Sequence, residues 1–539
     1  MALLVSNLDW PGDEGDPRRS LSERLGVAVS AVTDVQLVKK SLDARHRKQT
    51  WKAVYRVEVD DEDAVLAKGL PSVRRWIPRD AGRYGLDARG PERRPWPPGV
   101  RPVIVGAGPA GLFAALYLAE AGADVMLIER GGPTPDRVKA VNAHWRRKAE
   151  LDPDNNIVFG EGGAGTFSDG KIYTRRRDGE LGFVFRRLVD FGADPGILQE
   201  AWAHLGTDKV RALLPVFRQR LEELGVEVRY HSIVEDFLVA GGRIEGIRLA
   251  SGEEIHRAPV IVAAGHSARD TGTRLVEVGA VAEARSIAVG ARVEHPQALI
   301  DRAQYGNDDR GDLPAASYRL TDAPAGKRKV HTFCMCPGGV VVPAANQPER
   351  VVVNGMSFSA RRAFWANSAV IVEVNPSDYP GDDPLAGYRF QDAIERAAYE
   401  LAGGGESAPA QRVDDLLAGR PSDDLPRTSY ALGTVPVDLR KVLPRPVIEG
   451  MARALQTWDQ RLDGFAGPEG VLIAPETRTT SPIRFLRDAD CESTSIRGLY
   501  PVGEGAGYGG GIVSCALDGL RAARALVERH TAQRSASGS

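Results

Sequence analysis

The chain has 539 residues, and its 70 Lys and Arg residues against 72 Asp and Glu residues give a net charge of -2. This balance excludes a protein that is drawn to nucleic acid or anionic lipid by its whole-chain charge. With 42% hydrophobic and 26% charged residues, the composition is that of a globular protein. The length predicts two or three packed units.

The cysteines and the N-terminal sequence indicate the cellular compartment of the protein. The four cysteines, at positions 334, 336, 491 and 515, are too few for a disulfide framework in a chain of this size and favour a reducing compartment. No basic segment precedes an apolar run at the N-terminus, and no uncharged stretch has the length and apolar character of a membrane span. The sequence therefore predicts a cytoplasmic protein without a secretory signal or transmembrane segment.

Residues 1–76 predict a small α/β module of ferredoxin-like type. Ser20 and Glu23 form a capping-box pattern that opens a short helix, and residues 51–59 alternate between apolar and polar as in a half-buried strand. Residues 36–56 carry seven Lys or Arg against one acid, a pattern that could form a nucleic-acid face. The alternative is a solvated hairpin that docks on the rest of the chain, and the neutral overall charge favours it.

A complete βαβ unit opens the main body of the chain. An apolar strand leads into Gly106, Gly108 and Gly111 at G-x-G-x-x-G spacing, a helix follows, and a second strand ends at Glu129. Such glycines permit a tight turn, close approach to a pyrophosphate and close helix packing, while the acid accepts hydrogen bonds from a ribose and would repel a 2′-phosphate. We predict a site for FAD or NAD. Its predicted contacts are Gly106, Gly108, Pro109, Ala110, Gly111, Glu129 and Arg130.

Residues 155–171 hold a second glycine-rich stretch that no further βαβ unit follows. Its density of small residues predicts a loop whose amides approach a cofactor, with a solvent-facing flexible loop as the alternative. The predicted contacts are Gly160, Gly162, Gly163, Gly165, Thr166, Ser168, Asp169, Gly170 and Lys171.

Residues 226–257 predict a β-meander that leads into a buried strand ending at Ala264 and Gly265. Small residues at this strand end let the backbone pass close to an adenosine or pyrophosphate. The neighbouring His266 is more often structural than catalytic in such a position.

A third small-residue segment lies near the C-terminus. A strand ends at Gly503 and Glu504, and Gly510, Gly511 and Ile512 begin a helix whose N-terminus attracts negative charge. An enzyme that binds only NAD does not need this segment, whereas a flavin does, because its ribityl chain and ring lie far from the adenine. We predict that Glu504 bonds the ribitol and that the amides before the helix meet the flavin ring.

Residues 286–469 have no dinucleotide signature and predict the substrate-facing part of the protein. Cys334 and Cys336 invite a metal or redox interpretation. A metal needs three or four ligands, which the spacing does not supply, and a one-residue spacer strains a disulfide. We predict no metal site and expect alternating strand positions that line a pocket.

Several segments together carry a family resemblance. They read GAGPAG at 106–111, NIVFGEGGAGTFSDGK at 156–171, VAAGHSARDT at 262–271, FCMCPGG at 333–339, ETRTTSPIR at 476–484 and YPVGEGAGYGGGI at 500–512. The chain resembles the bacterial FAD-dependent dehydrogenase (NAD(P)/FAD-dependent oxidoreductase) family with a glutathione-reductase-type FAD fold. SLDAR at 41–45 resembles the N-terminal α/β extension of that family. The resemblance implies non-covalent FAD and does not imply a reaction.

The predicted fold class is α/β, with a Rossmann-like FAD-binding domain that has a β-meander, an inserted α+β substrate domain and the N-terminal module. The predicted segments are 1–76 for the module, 77–100 for a Pro/Arg-rich linker, 101–285 for the first part of the FAD-binding domain, 286–469 for the substrate or cap domain, 470–530 for the C-terminal part of the FAD-binding domain and 531–539 for a disordered tail.

The sequence excludes some of the reactions that flavin enzymes catalyse. Residues 1–333 hold no cysteine, which rejects a disulfide reductase, and no second βαβ dinucleotide unit is present, so NADH or NADPH would bind transiently in the substrate cleft. We predict hydride transfer between the flavin and a small or lipid-like substrate, by a dehydrogenase or a C=C or C=N reductase. A monooxygenase is an alternative that Glu504 disfavours, because such enzymes usually carry Asp there. A flavin-containing protein that modifies or binds nucleic acid is a further alternative.

Three side chains are candidates for the chemistry itself. Arg478 and Arg484 would anchor an anionic group of the substrate, and Tyr508 would supply a proton or a stacking face. An arginine paired with a surface acid is the alternative for each of the two arginines. We expect a small-molecule substrate and no stable nucleic-acid partner, and the oligomeric state stays open.

Overall fold

The computed structural model describes residues 2–43, 49–85, 88–174, 178–307 and 309–537. They form two compact units, one of residues 1–90 with 171–204 and one of residues 91–170 with 205–539. The predicted boundaries did not foresee that 171–204 leaves the FAD-binding part to join the N-terminal unit. The pairing is non-local, since the Lys40 amide donates to the Gln199 carbonyl at 2.7 Å and the Ala201 amide donates to the Lys40 carbonyl at 2.9 Å.

The first unit contains the predicted ferredoxin-like module. Its strands lie in the order β2-β3-β1-β4 with two helices in a βαββαβ sequence, and apolar side chains such as Leu3, Leu21 and Val57 fill the core between sheet and helices. The elements are β1 (Leu3–Asp9), α1 (Arg18–Leu25), β2 (Val32–Asp43), β3 (Thr50–Val59), α2 (Glu62–Ala67), β4 (Val73–Arg75) and α3 (Pro78–Arg83).

Helix α3 lies within residues 77–100, which were predicted to be a linker, and it belongs to the first unit. The Asp80 carboxylate, 1% exposed, accepts the Ile77 amide at 3.0 Å and binds both guanidinium nitrogens of Arg74 at 2.6 and 2.9 Å. This side chain caps the first turn of a helix that begins at a proline. The sequence did not indicate this helix, because the prolines further along the segment favour extended backbone.

The basic stretch 36–56 lies on two antiparallel strands of this module. Lys52 lies 2.5 Å from Asp9, Arg56 lies 3.0 Å from Asp34, and the Lys40 ammonium lies 4.3 Å from the centre of the Trp10 ring. These contacts offset part of its positive charge and favour the hairpin interpretation. Arg45, Arg47 and Lys48 lie outside the described residues.

The dinucleotide part of the second unit is a parallel sheet in the order β23-β11-β5-β6-β7, with the predicted meander β8-β9-β10 beside it. Helix α6 follows α5 in the chain but belongs to the first unit. The elements are β5 (Val103–Val105), α4 (Pro109–Glu120), β6 (Met126–Ile128), α5 (Thr134–Trp145), α6 (Leu181–Asp190), α7 (Thr207–Glu223), β7 (Glu227–Arg229), β8 (Val234–Ala240), β9 (Arg243–Leu249), β10 (Glu254–Ile255), β11 (Val260–Val262), α8 (Arg269–Glu277) and β12 (Ala282–Ala284).

The substrate domain is a seven-stranded mixed sheet in the order β14-β15-β18-β13-β21-β19-β20, and a separate β16-β17 hairpin accompanies it. From β13 to the C-terminus the elements are β13 (Ile287–Pro296), α9 (Gln297–Tyr305), β14 (Thr321–Asp322), β15 (Val330–Cys336), β16 (Gly339–Pro343), β17 (Val353–Ser357), β18 (Trp365–Val374), α10 (Ala386–Leu401), β19 (Ala408–Arg412), α11 (Val413–Leu417), β20 (Thr434–Pro436), α12 (Arg445–Asp459), β21 (Val471–Glu476), β22 (Ile483–Phe485), β23 (Leu499–Pro501) and α13 (Ile512–Ser537). Of these, β22 pairs with β12, β23 belongs to the parallel sheet and α13 packs on α4.

Two predicted boundaries near the C-terminus move. Strand β21 pairs with β13 and β19, so the substrate-domain sheet extends beyond residue 469. Helix α13 continues to Ser537, whereas 531–539 was predicted to be a disordered tail, because residues 531–537 hold no glycine or proline that would stop it. Among the described residues, no helix has both the length and the apolar character needed to cross a bilayer.

Candidate functional site

In the first glycine turn, Gly106 and Gly111 stand where a side chain would clash with neighbouring backbone. Gly106 has φ +105°, and a Cβ there would lie 2.5 Å from the Ala263 carbonyl oxygen. A Cβ on Gly111 would lie 1.9 Å from the Gly106 carbonyl oxygen. Helix α4 begins immediately after Gly108, so its free amides are available to a pyrophosphate at the carboxyl ends of β5 and β11.

Glu129 connects three segments of the site. Its buried carboxylate accepts hydrogen bonds from the amides of Ala107 at 2.7 Å, Gly131 at 2.9 Å and Gly160 at 3.0 Å. Two carboxylate oxygens offer about four acceptor positions, so one stays available for the predicted ribose hydroxyl. The sequence missed that this acid also positions the second glycine loop.

The loop that begins at Gly160 is held by a buried arginine. Arg137, 0% exposed, donates to the carbonyls of Asn156 at 2.6 Å, Ile157 at 2.7 Å and Glu161 at 2.7 Å. Burial lowers the pKa of Arg137 to about 9. A loop held by so many bonds contradicts the alternative of a flexible, solvent-facing loop, and nothing in the sequence around Arg137 signalled its role.

The Glu161 side chain anchors the same loop from its other side. Its carboxylate, 1% exposed, accepts bonds from the Thr134 amide and hydroxyl at 2.8 and 2.6 Å and from the Tyr230 hydroxyl at 2.6 Å. Arg218 lies 3.3 Å away and supplies an opposite charge. The loop is therefore fixed to α5, to α7 and to the residues after β7.

Several predicted polar contacts of the loop bind protein instead. Ser168 Oγ donates to the Gly165 carbonyl at 2.8 Å and accepts the Gly170 amide at 3.0 Å, while Thr166 Oγ1 donates to the Glu161 carbonyl at 3.0 Å. The buried Asp169 carboxylate accepts a bond from the Ser357 hydroxyl and lies 3.4 Å from Arg361. These side chains shape the loop and join it to the substrate domain. Lys171 lies in the first unit, where its backbone pairs with His204.

Arg130 and Ala110, which are also predicted to contact the cofactor, both lie against protein groups. Arg130 binds Asp270 at 2.7 Å, and its guanidinium lies 4.4 Å from the centre of the Phe159 ring. Ala110 lies against α13, since a Cβ on Gly519 would be 2.0 Å from the Ala110 carbonyl oxygen. The absence of a side chain at Gly519 therefore lets α13 pack closely on α4.

The C-terminal glycine segment meets the other two. A Cβ on Gly163 would lie 3.0 Å from Gly108 Cα, a Cβ on Gly165 would lie 3.0 Å from the Ile512 side chain, and a Cβ on Gly505 would lie 2.5 Å from the Gly265 carbonyl oxygen. The turn 106–111, the loop 160–170 and the start of α13 therefore converge. His266 Nδ1 lies 3.5 Å from the Glu504 carboxylate, which links the ends of β11 and β23.

FAD fits this arrangement. Gly265 and Gly511 have φ +79° and +77°, a backbone conformation that favours glycine. Gly510 has no such φ, and a Cβ there would meet no protein atom within 4 Å, which leaves room for an extended ligand close to the backbone. We name the convergent segments 106–111, 160–165, 264–265 and 503–512 the glycine cradle.

Each of the three predicted catalytic side chains contacts a protein group. Arg478, 6% exposed, binds the Glu395 carboxylate at 2.7 and 3.0 Å, and Arg269 binds the same carboxylate at 2.7 Å. Arg484 lies 3.6 Å from Glu283, as the alternative interpretation expected. The Tyr508 hydroxyl donates to the Phe485 carbonyl at 2.8 Å, so its proton is already engaged.

The substrate domain holds a buried polar network that the sequence did not predict. Arg292 Nε donates to Glu476 at 2.8 Å, its Nη1 donates to Asn367 at 3.0 Å and lies 3.9 Å from the Cys336 sulfur, and its Nη2 donates to the Cys334 carbonyl at 3.0 Å. Burial raises the pKa of Glu476 to about 6 despite the charge of Arg292. Cys336 thus lies in the sheet beside a cation.

Comparisons with known proteins agree with this geometry. Residues 100–147 match an FAD binding domain, residues 286–479 match the family described as FAD-dependent protein, C-terminal domain-like, and residues 4–60 match a domain of unknown function, DUF8436. The second match runs past residue 469, as does the sheet. The glycine cradle and these matches define a flavoenzyme, an oxidoreductase that uses FAD.

The relatives identify the family. A Clostridium beijerinckii protein without an assigned function is 37% identical over 543 residues, covering 98% of this chain and 99% of the relative. The chain belongs to the family of FAD-dependent oxidoreductases that includes this relative.

More distant similarities cover less of the sequence. A digeranylgeranylglycerophospholipid reductase of Methanopyrus kandleri is 28% identical over 169 residues, which is 30% of this chain and 36% of that protein. The crystal structure of a geranylgeranyl bacteriochlorophyll reductase-like protein from Thermoplasma acidophilum is 12% identical, with a TM-score of 0.36 and 80% of each chain covered.

Proposed function

We propose that this protein transfers a hydride between bound FAD and an apolar organic substrate, as a dehydrogenase or as a reductase of C=C or C=N bonds. The observation that carries the proposal is the convergence of segments 106–111, 160–165 and 510–512, because a cradle of this length suits a flavin dinucleotide. FAD supplies the hydride chemistry when it is bound.

The chain's own residues supply binding and electrostatics. The amides at the start of α4 would hold the pyrophosphate, and Glu129 would accept a ribose hydroxyl. The N-terminus of α13 at Ile512 would place the positive end of a helix beside the flavin ring, where it favours the negative charge of the reduced state.

The preference for an apolar substrate rests on charge. The two arginines expected to anchor an anionic substrate have acids beside them, Glu395 beside Arg478 and Glu283 beside Arg484. The similarity to a reductase whose name specifies a digeranylgeranyl lipid supports the same direction. For the reductase, NADH or NADPH is the proposed electron donor, bound transiently in the substrate cleft, whereas in a dehydrogenase the substrate itself would reduce the flavin.

The test is the flavin absorbance spectrum of the purified protein, followed without oxygen while NADH and then NADPH are added. Bleaching of the flavin band, followed by its anaerobic return when a polyprenyl lipid or an apolar enone is added, is the expected result. Return of the band only with oxygen, together with a hydroxylated product, would identify a monooxygenase instead. Protein that binds no FAD even after soaking would overturn the proposal.

A further inference from the structure

The loop between β17 and β18 exposes two phenylalanines. Phe358 is 49% exposed and Phe364 is 66% exposed, and Arg361 and Arg362 lie between them. We call residues 358–364 the Phe-Arg loop. Large apolar side chains this exposed in adjacent turns mark an interaction site rather than ordinary surface.

Hydrogen bonds hold the backbone of the loop in place. The Arg361 amide donates to the Phe358 carbonyl at 3.0 Å, and the Ala363 amide donates to the Gly338 carbonyl at 3.1 Å. The Gln297 amide donates to the Phe364 carbonyl at 2.8 Å. These bonds fix the backbone that carries the two exposed rings.

The charge that surrounds the rings is positive. Within the described chain Arg362 has no acidic partner, and the Arg427 guanidinium lies 5.6 Å from the centre of the Trp365 ring, next to Phe364. Of the two acids that contact the loop, Asp169 is buried and Asp208 is half-buried with its carboxylate bound to Ser359. Asp208 accepts bonds from the Ser359 amide at 2.7 Å and hydroxyl at 2.6 Å, and Asp169 is 1% exposed.

We propose that the Phe-Arg loop docks on the surface of an anionic lipid bilayer, with Phe358 and Phe364 in the interface and Arg362 and Arg427 at the headgroups. Exposed aromatic rings flanked by free guanidinium groups suit that surface, since the rings leave water and the cations meet lipid charge. The near-neutral whole chain does not oppose this, because the attraction is local and acts within about a Debye length.

The position of the loop relates docking to catalysis. Ser357, at the end of β17, donates to Asp169, and Arg361 lies 3.4 Å from the same carboxylate. Asp169 belongs to the loop that forms part of the glycine cradle. Docking would therefore bring the flavin side of the protein to the lipid, and an apolar substrate would enter from the bilayer. This second step rests on the proposed function, whereas the docking itself does not.

The experiment is co-sedimentation of the holoprotein with phosphatidylcholine vesicles, with and without phosphatidylglycerol. The variants are Phe358→Ala/Phe364→Ala and Arg362→Gln. The matched control is Val216→Ala/Leu401→Ala, which removes side chains that are 42% and 41% exposed elsewhere on the second unit. FAD content and the flavin spectrum confirm that each variant is folded.

Wild type and control should bind phosphatidylglycerol vesicles, and added salt should weaken that binding. The double phenylalanine variant should bind at least about tenfold more weakly, since two rings leave the interface. Arg362→Gln should bind about fivefold more weakly, as expected for one basic residue near an anionic surface.

Failure of wild type to bind the anionic vesicles, or equal binding by the phenylalanine variant and the control, would overturn the docking. So would a change of oligomeric state in the phenylalanine variant without any lipid dependence, because a second copy of the chain would then cover the loop. Vesicle binding with no anaerobic flavin reaction contradicts the proposed function alone, and an intact flavin reaction without vesicle binding contradicts the docking alone.

Discussion

Glu129 Oε1 accepts a hydrogen bond from the amide of Gly160 at 3.0 Å, across 31 residues of chain. The acid at the end of β6 therefore does two things at once. It holds the start of the second glycine loop against the first, and its remaining acceptor position would take a ribose hydroxyl of FAD. Cofactor binding and loop position should thus depend on the same carboxylate.

Replacement of this carboxylate tests that dependence. Glu129→Ala leaves the amides of Ala107, Gly131 and Gly160 without their acceptor, and each bond to a charged acceptor contributes about 1.5–3 kcal/mol. We expect FAD affinity to fall at least about 30-fold, together with a lower Tm of the apoprotein. FAD titration of the apoprotein by flavin fluorescence measures the first effect and calorimetry the second. The exposed Glu449→Gln is the control, and unchanged FAD affinity in Glu129→Ala would contradict the assignment.

Two glycines of the cradle should respond differently to alanine. Gly510→Ala meets no protein atom within 4 Å, so the apoprotein should keep its stability while FAD binds at least about tenfold more weakly. Gly111→Ala places a Cβ 1.9 Å from a carbonyl oxygen, so it should destabilise the apoprotein itself by about 1–3 kcal/mol or more.

The matched control for Gly510→Ala is Gly405→Ala, because a Cβ there also meets nothing within 4 Å and Gly405 lies outside the cradle. Urea unfolding of the apoproteins and FAD titration give the two readouts. Equal FAD affinity in Gly510→Ala and Gly405→Ala would show that the open space beside Gly510 does not hold the flavin.

The parts of the site that the sequence predicted are local patterns that impose their own geometry. Gly106 and Gly111 are required by contacts with neighbouring turns, and Gly510 precedes the helix it serves, so their spacing alone indicates them. Arg137 could not be found in this way. Its acceptors are carbonyls 19 to 24 residues downstream. In the sequence, an arginine on α5 cannot be told from a surface residue, because only the fold brings these carbonyls to it.

The same distinction explains the domain boundaries. The ferredoxin-like order of the first module follows from alternating strands and could be predicted. The return of 171–204 to that module depends on the exposed edge of β2 at Lys40, which pairs by backbone bonds that any sequence can make. The hydrogen bond of Tyr508 could not be predicted for a related reason, since only the fold brings the Phe485 carbonyl to its hydroxyl.

The buried cluster around Glu395 should be sensitive to the loss of one charge. Burial alone would raise the pKa of Glu395, but the charges of Arg478 and Arg269 outweigh it and lower that pKa to about 2. Glu395→Gln leaves two buried guanidinium groups without their carboxylate, which should cost about 3–5 kcal/mol in urea unfolding. The double variant Glu395→Gln/Arg478→Met should recover part of this loss. A loss below about 1 kcal/mol in Glu395→Gln would show that the cluster is not coupled as described.

Glu294 gives a prediction about the pH dependence of stability, because its pKa is raised and not lowered. This side chain, 2% exposed, accepts hydrogen bonds from the Ser429 amide at 2.9 Å and from the Ser429 hydroxyl. Burial raises its pKa from 4.5 to about 7, and the bonds from Ser429 oppose that shift only in part. Between these two values the folded protein keeps a proton on Glu294 that the unfolded chain has released.

The folded state therefore loses stability as pH rises through this window, by about 1.4 kcal/mol per pH unit and about 3 kcal/mol in all. Above pH 7 both states are ionised and the contribution no longer changes. Glu294→Gln removes the titration and keeps an acceptor for Ser429. The free energy of unfolding of the variant minus that of the wild type should therefore increase between pH 5 and pH 8 and stay constant at higher pH. Urea unfolding across that range, with the exposed Glu449→Gln as control, measures the difference. A gap between Glu294→Gln and wild type that stays constant over the whole range would show that Glu294 is ionised throughout in the folded protein.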